Sequence, residues 1–554
     1  MAHVFLDPKQ YWLKRWMTLS EMIIDGIGAF DLGGRDPDLD QDESVAPDDF
    51  EVRAELSQPH ELVRNAIFDL AHFADTLFYF FYEGYFDVNL DDEFNDRFED
   101  VELREALEQL NREKNLFENP ETSADSVLHV LLRQVQIDIL RLQQSFFVHS
   151  EMGQQLYNLS APQLLATILA EHTLRPNGDG SFLDFQFENT SIMIFPNDMI
   201  KVRLLPYVDA LLIGLPLSAY VDDIETGNDE YVLDLSADFL ALSHEAGHLV
   251  FQSGIIPHHL QQTFEGKRCA RLGSHLHLKL PIWLEAEGFN AAENQWAAEW
   301  LIEIFCDVYG ALVDGPVFAV GFQQLMASDR MEEIHTSDGH HPIPVLRPLL
   351  QNLVMLRISE CLDEDGNSHF GWPDWVGDVA DELVNLWGKV VKRNWPQWFN
   401  ERGGVSYADD DLGMVLANAT YEVDGVERTG EEILIVLDVA IKLILQTLNE
   451  LDFRPQPGAW SQLDLSGQDG PEAIAEKLFL QYLKESQERI EASNQYTESF
   501  SFEALAASNN SSQVIKMLSE NVDAIGSDKD LAKLIMTSGW EDEGPRTGGL
   551  GGWP

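Results

Sequence analysis

Residues 236–253 read SADFLALSHEAGHLVFQS. Apolar residues fall on almost every face of this stretch. Ser236 can cap its start and Gly254 can end it, so it predicts a buried helix. Among its few polar residues are Ser243, His244, Glu245 and His248. Imidazoles and a carboxylate in an apolar interior need partners, because burying a polar group without one is costly. His244 and His248 are four apart and therefore project from one face. Two imidazole nitrogens at that spacing suit one zinc ion. Glu245 stands beside them, placed to take a proton from a water and hand it to a leaving amine. A pair of core histidines bonded to carbonyls and carboxylates would leave the same pattern, so a third ligand has to decide.

A continuation of the HExxHxxGxxH kind fails, since Phe251 and Gly254 stand at the two further positions. The alternative is an acid on a second helix. Residues 294–312, NQWAAEWLIEIFCDVYGAL, form a strongly apolar stretch in which Glu299, Glu303 and Asp307 recur every four residues. On one continuous buried helix they would form a stripe of mutually repelling carboxylates. A divalent cation and its histidines would offset that repulsion. Glu303 can bind the metal while Asp307, one turn on, accepts the N–H of a ligand histidine and so sets its tautomer.

HEAGH followed by EIFCD resembles the gluzincin metallopeptidases, whose pattern is HExxH and then ExxxD on a later helix. The resemblance implies a Zn2+ site with His244, His248 and Glu303 as ligands. It gives Glu245 the role of general base and acid, and Asp307 that of orienting a ligand histidine. It also implies hydrolysis of peptide bonds in a peptide or protein substrate, bound along an edge strand for which residues 180–222 are the candidate. Glu303 follows His248 by 55 residues, and Ile302 stands where thermolysin-like members carry Asn. The resemblance covers about 65 residues of the chain. Such enzymes need a donor for the tetrahedral oxyanion. Residues 335–347, HTSDGHHPIPVLR, offer His341 for it, with His340, Arg347 and Tyr309 as alternatives; His258 and His259 are weaker. Two other readings stay open: a metal-stabilised structural or interaction protein without catalysis, and a zinc hydrolase of a non-peptide amide or ester. The intact Glu245 speaks against the first.

Outside the two motifs the chain reads as mainly α (α+β), a helical metallopeptidase core with a small sheet before the active-site helix. Helical periodicity marks residues 1–30, 60–86, 123–149, 430–449 and 471–495. The aromatic run LFYFFYEGYF within 60–86 reads as core. SFLDFQF and SIMIFP read as strands, with a hairpin at Glu188–Asn189; LLIGLPLSAY reads as a strand or buried turn. Residues 34–60 read as an exposed acidic loop, and 361–410 as loop-rich with tryptophans packing between domains. The expected domains are 1–160, helical; 161–360, catalytic; 361–500, helical; and 501–554, a polar and partly disordered tail.

Of 554 residues, 36 are Lys or Arg and 95 are Asp or Glu, for a net charge of −59. Such a surface repels nucleic acid and anionic membranes, and gains from salt screening, which points to a halophilic cytoplasm. The three cysteines are far apart and form no CxxC. A disulfide framework or a cysteine zinc site is therefore not expected. The N-terminal MAHVFLDPKQYWLKRW lacks the form of a secretory signal. No apolar run reaches spanning length; ILIVLDVAIKLIL is interrupted by Asp438 and Lys442 and reads as a buried helix. A cytoplasmic location is expected. The oligomeric state is not legible.

Overall fold

The computed structural model describes residues 7–33, 47–88, 100–118, 123–149, 191–197, 200–205, 207–208, 210–216, 241–254, 256, 263–264, 267–268, 271–327, 334–337, 339, 341–361, 369–402, 412–451, 453, 458–463, 465 and 470–494. Among these the fold is mainly helical with three small sheets. The expected strand SFLDFQF, its hairpin at Glu188–Asn189 and the tail 501–554 lie outside the described residues.

Four helices come first: α1 (Pro8–Gly33), α2 (Pro47–Phe86), α3 (Val101–Lys114) and α4 (Ala124–His149). The aromatic run at the end of α2 is buried, with Phe78 stacked on Trp16 at 4.8 Å between ring centroids. Asp100 caps α3 by accepting from the Leu103 N–H, as an N-cap acid does. The acidic segment 34–60 is not a loop throughout, since α2 already starts at Pro47. Pro at a helix start loses no hydrogen bond, and acids in the first turn favour the helix dipole. Acidity alone does not make a loop, and the Glu and Ala of this stretch are good helix formers.

Next come three strands, β1 (Ser191–Asn197), β2 (Lys201–Leu204) and β3 (Ala210–Pro216). They pair in the order β1-β3-β2, with β1 parallel and β2 antiparallel to β3. Alternation along the strands splits their side chains between two cores. Met193, Phe195 and Leu212 pack with α1–α4, while Ile194, Val202, Ile213 and Leu215 face the rest of the chain. The sheet is thus the layer between the two.

The second core begins with α5 (Ala241–Ser253) and α6 (Leu272–Ala286), between which the chain forms the short strands β4 (Thr263–Phe264) and β5 (Lys267–Arg268). It continues with α7 (Trp296–Glu299), α8 (Leu301–Asp314), α9 (Pro316–Met326) and α10 (Arg347–Glu360). Then follow α11 (Val376–Asn394), α12 (Pro396–Glu401), α13 (Leu412–Asn418), the hairpin β6 (Thr420–Val423) and β7 (Val426–Thr429), α14 (Gly430–Glu450) and α15 (Pro471–Asn494). One buried cluster runs from Ile194 to Tyr482, so residues on both sides of position 360 share one core. Trp372, Trp387, Trp395 and Trp398 are buried in it.

Within 361–410, where a loop-rich stretch is expected, α11 occupies 19 of the described residues and α12 a further six. Val376, Val379, Ala380, Leu383, Trp387 and Val391 recur at three- and four-residue steps and form one buried face. The hairpin of β6 and β7 lies outside the strands expected from the sequence. Asp424 and Gly425 at its turn have φ of 52° and 71°, the left-handed pair that a two-residue hairpin turn requires. In α14 the charges that interrupt ILIVLDVAIKLIL are paired. Asp438 accepts from Arg357 of α10 at 2.6 and 2.9 Å and lies 2.8 Å from Lys442. No described helix is long and apolar enough to cross a membrane.

Candidate metal centre

Helix α5 is buried on several sides by Leu242, Ala246, Leu249, Val250 and Phe251, which hold it rigidly in the second core. It crosses α8 at close range, and Gly247 allows this. A Cβ at that position would lie 2.8 Å from Cys306 Cα, nearer than real Cβ contacts come. The close crossing brings the histidine face of α5 onto the acid face of α8.

Glu303 is the hub. Its side chain is 2% exposed. His244 Nε2 stands 3.4 Å from Glu303 Oε2, and His248 Nε2 stands 3.4 Å from Oε1. The two rings lie nearly perpendicular, at 83°, with centroids 5.1 Å apart. On the far side of its ring, His244 Nδ1 is 3.1 Å from Asp307 Oδ1. An ionised carboxylate can only accept, so Nδ1 carries the proton of that bond and Nε2 is the atom turned towards Glu303.

Arg347, at the start of α10, is enclosed with these acids. Its Nη2 donates to Asp307 Oδ1 at 2.8 Å and its Nε to Oδ2 at 3.2 Å, while Nη2 also lies 3.2 Å from Glu303 Oε2. The guanidinium stacks on Phe322 at 4.5 Å. This engagement removes Arg347 from the candidates for a free oxyanion donor. His341 does reach the site, with Nε2 3.5 Å from Glu303 Oε1. His340, His258 and His259 lie outside the described residues. Tyr309 belongs elsewhere. Two residues after Asp307, it projects about 200° round the helix from it. Its ring is stacked with Phe305 and Phe453. Burial, with Asp314 acting the same way, pushes its hydroxyl far up.

Burial opposes charge on every group here, and the partners override it. Burial disfavours the His244 imidazolium, but Asp307 and Glu303 hold the ring up at about 9. Glu303 is held well below the usual carboxylate range against its burial by His341, His244 and His248. Asp307 is lowered against its burial chiefly by Arg347 and His244. The two carboxylates are thus balanced by Arg347 and by the histidines packed against them.

The expected stripe of three acids is not present. The helix breaks at Trp300, between α7 and α8, and Glu299 is exposed. The break lies between Glu299 and Glu303, so helical periodicity does not carry across it. Glu245 is half-buried and has no hydrogen-bond or ion-pair partner among the described residues. Cys306 belongs to no cysteine pair at metal spacing, so cysteine spacing does not point to it. Its Sγ and one ring nitrogen from each of His244 and His248 all lie within 4.8 Å of one another. The available signal was its place three residues after Glu303, on nearly the same face of α8. Burial pushes the Cys306 thiol well up, and Glu303, Glu245 and Asp307 add to this.

Two donor sets therefore share the histidines, one completed by Glu303 and one by Cys306. Two ligands about 2.1 Å from one tetrahedral ion stand roughly 3.4 Å apart. Each histidine Nε2 stands 3.4 Å from Glu303, but from different oxygens of its carboxylate, whereas Cys306 Sγ and one nitrogen of each histidine lie within 4.8 Å of one another. Imidazole nitrogens with a carboxylate or a thiolate are donors of the kind that suit a zinc ion. A groove of about 560 Å³ between α10, α11, α13 and α14, lined in part by Arg357 and Asp438, contains none of these residues. No family model, no curated protein and no solved structure matches the chain.

Proposed function

We propose that this chain is a zinc-dependent peptidase, with His244, His248 and Glu303 as the metal ligands and Glu245 as the proton-transferring carboxylate. The observation that carries this reading is the convergence of both Nε2 atoms on one buried carboxylate at 3.4 Å. The ion would supply Lewis-acid polarisation of the scissile carbonyl and make a water more acidic. Glu245, adjacent in sequence to a ligand and without a competing partner among the described residues, accepts the water's proton and delivers it to the leaving amine. Asp307 keeps the His244 ring in the orientation and tautomer that turn Nε2 inward. Arg347 holds Asp307 in place and shields the two acids from each other. His341, beside Glu303, is the donor for the developing oxyanion.

A peptide rather than a small amide or ester is favoured by β2. Among the described residues it is the terminal strand of its sheet, and it packs beside α5, an arrangement that suits addition of an extended chain. A second reading, a closed structural metal site without catalysis, is favoured by Cys306, since four protein ligands characterise structural zinc. The charge of −59 and the scarcity of cysteine support a salt-rich cytoplasm as the working place, with neither nucleic acid nor membrane as partner.

The test is metal content together with hydrolysis. The purified chain is expected to hold one zinc, to cleave unstructured peptides, and to lose both on His248→Ala. Stoichiometric zinc without cleavage of any peptide would favour the structural reading; no zinc at all would end both.

A further inference from the structure

The mechanism above leaves one buried nucleophile unused. Cys306 is fully buried, yet its sulfur lies among polar groups, clustered with nitrogens of His244 and His248 within 4.8 Å. The approach is enforced by the helix crossing, since the Sγ stands 3.2 Å from where a Cβ on Gly247 would be. A thiolate about 2.3 Å and an imidazole about 2.1 Å from one tetrahedral ion stand roughly 3.6 Å apart. Closing the observed cluster to that separation therefore needs the sulfur and nitrogen to approach by about 1.2 Å at most.

We propose that Cys306 is an additional metal ligand, its thiolate joining His244, His248 and Glu303 around the ion. This rests on the zinc reading and deepens it. On binding, the S–H bond is replaced by an S–metal bond and the proton leaves to solvent; nothing is oxidised or reduced. Four protein ligands are the arrangement of structural zinc, so sulfur ligation favours the structural reading of the site over hydrolysis. A thiolate shifts the site's preference towards zinc, cobalt and cadmium and away from magnesium and manganese, which prefer oxygen.

The experiment uses the full chain, stripped of metal and reloaded with cobalt(II) alone. Visible absorption from the metal's own transitions reports binding, and a near-ultraviolet thiolate-to-cobalt charge-transfer band reports sulfur ligation. The band is expected in the unaltered chain, retained in Cys361→Ser and absent from Cys306→Ser. The last variant is also expected to bind zinc at least about tenfold more weakly, no less than the loss of a ligand's hydrogen-bond partner costs. Bound cobalt with no charge-transfer band in the unaltered chain overturns the role of Cys306 and leaves the zinc reading standing. So does a band that survives in Cys306→Ser. Failure of the unaltered chain to bind either metal overturns both. If Cys306→Ser does not fold, the spectrum of the unaltered chain decides, with Cys306→Ala as the second variant.

Discussion

Asp307 lies 3.1 Å from His244 Nδ1 across the crossing of α5 and α8, and the same carboxylate receives two hydrogen bonds from Arg347. One acid thus aims a ring on the neighbouring helix while being held by a third. Asp307→Asn keeps the shape but removes the charge and offers an N–H to groups that are themselves donors. Zinc affinity is expected to fall about 10–100-fold, the cost of losing a ligand's outer partner. Competition against a chelator of known affinity measures it. Unchanged affinity would mean that Asp307 does not orient His244.

Glu245→Gln is expected to keep zinc and lose hydrolysis, by about 10²-fold or more. Gln preserves volume but cannot take a proton. Metal content and peptide turnover are measured on the same sample. Undiminished turnover would remove Glu245 from the mechanism, and loss of zinc would make it a structural residue.

Gly247→Ala tests the helix crossing. The new methyl would meet backbone, at 2.8 Å from Cys306 Cα, and backbone cannot rotate out of the way. Forcing α5 and α8 apart is expected to cost about 1–3 kcal/mol of stability. It would also lengthen both histidine–Glu303 separations and weaken zinc binding. Denaturant unfolding of the metal-free chain isolates the first effect and zinc competition the second. A variant with the parent's stability and affinity would show that the helices do not approach so closely.

Salt is expected to stabilise the whole chain more than the site. With 95 acids against 36 bases, surface self-repulsion is large. Raising the ionic strength from 0.1 to 1 M shortens the Debye length from about 10 to about 3 Å. The melting temperature should rise with molar KCl, while zinc content changes little because Glu303 and Asp307 are enclosed. A melting temperature that is flat or falls with KCl would count against the salt-rich setting alone.

Much of the site was legible because helix geometry is local. His244 and His248, and likewise Glu303 and Asp307, sit four apart on stretches too apolar to be surface. That spacing by itself puts each pair on one face. The same reasoning failed at Glu299, where a break at Trp300 interrupts the periodicity. Within 361–410 the tryptophans and glycines obscure the three-to-four repeat that α11 buries. The Asp424–Gly425 pair is the local signal of the turn between β6 and β7.

The sequence by itself determined that two apolar helices each carry a pair of histidine or acidic side chains on one face, the residue types that can hold or orient a metal. It also determined that the chain is strongly acidic and mainly helical. Only the tertiary structure decided that the two pairs face each other, that Arg347 lies between Glu303 and Asp307, and that Cys306 rather than Glu299 stands with the histidines. The physical reason is that a residue's place on its own helix follows from backbone dihedrals repeated every turn. Its distance from a residue far along the chain follows instead from how closely two helices pack. Here that closeness depends on Gly247 having no side chain to hold α8 away.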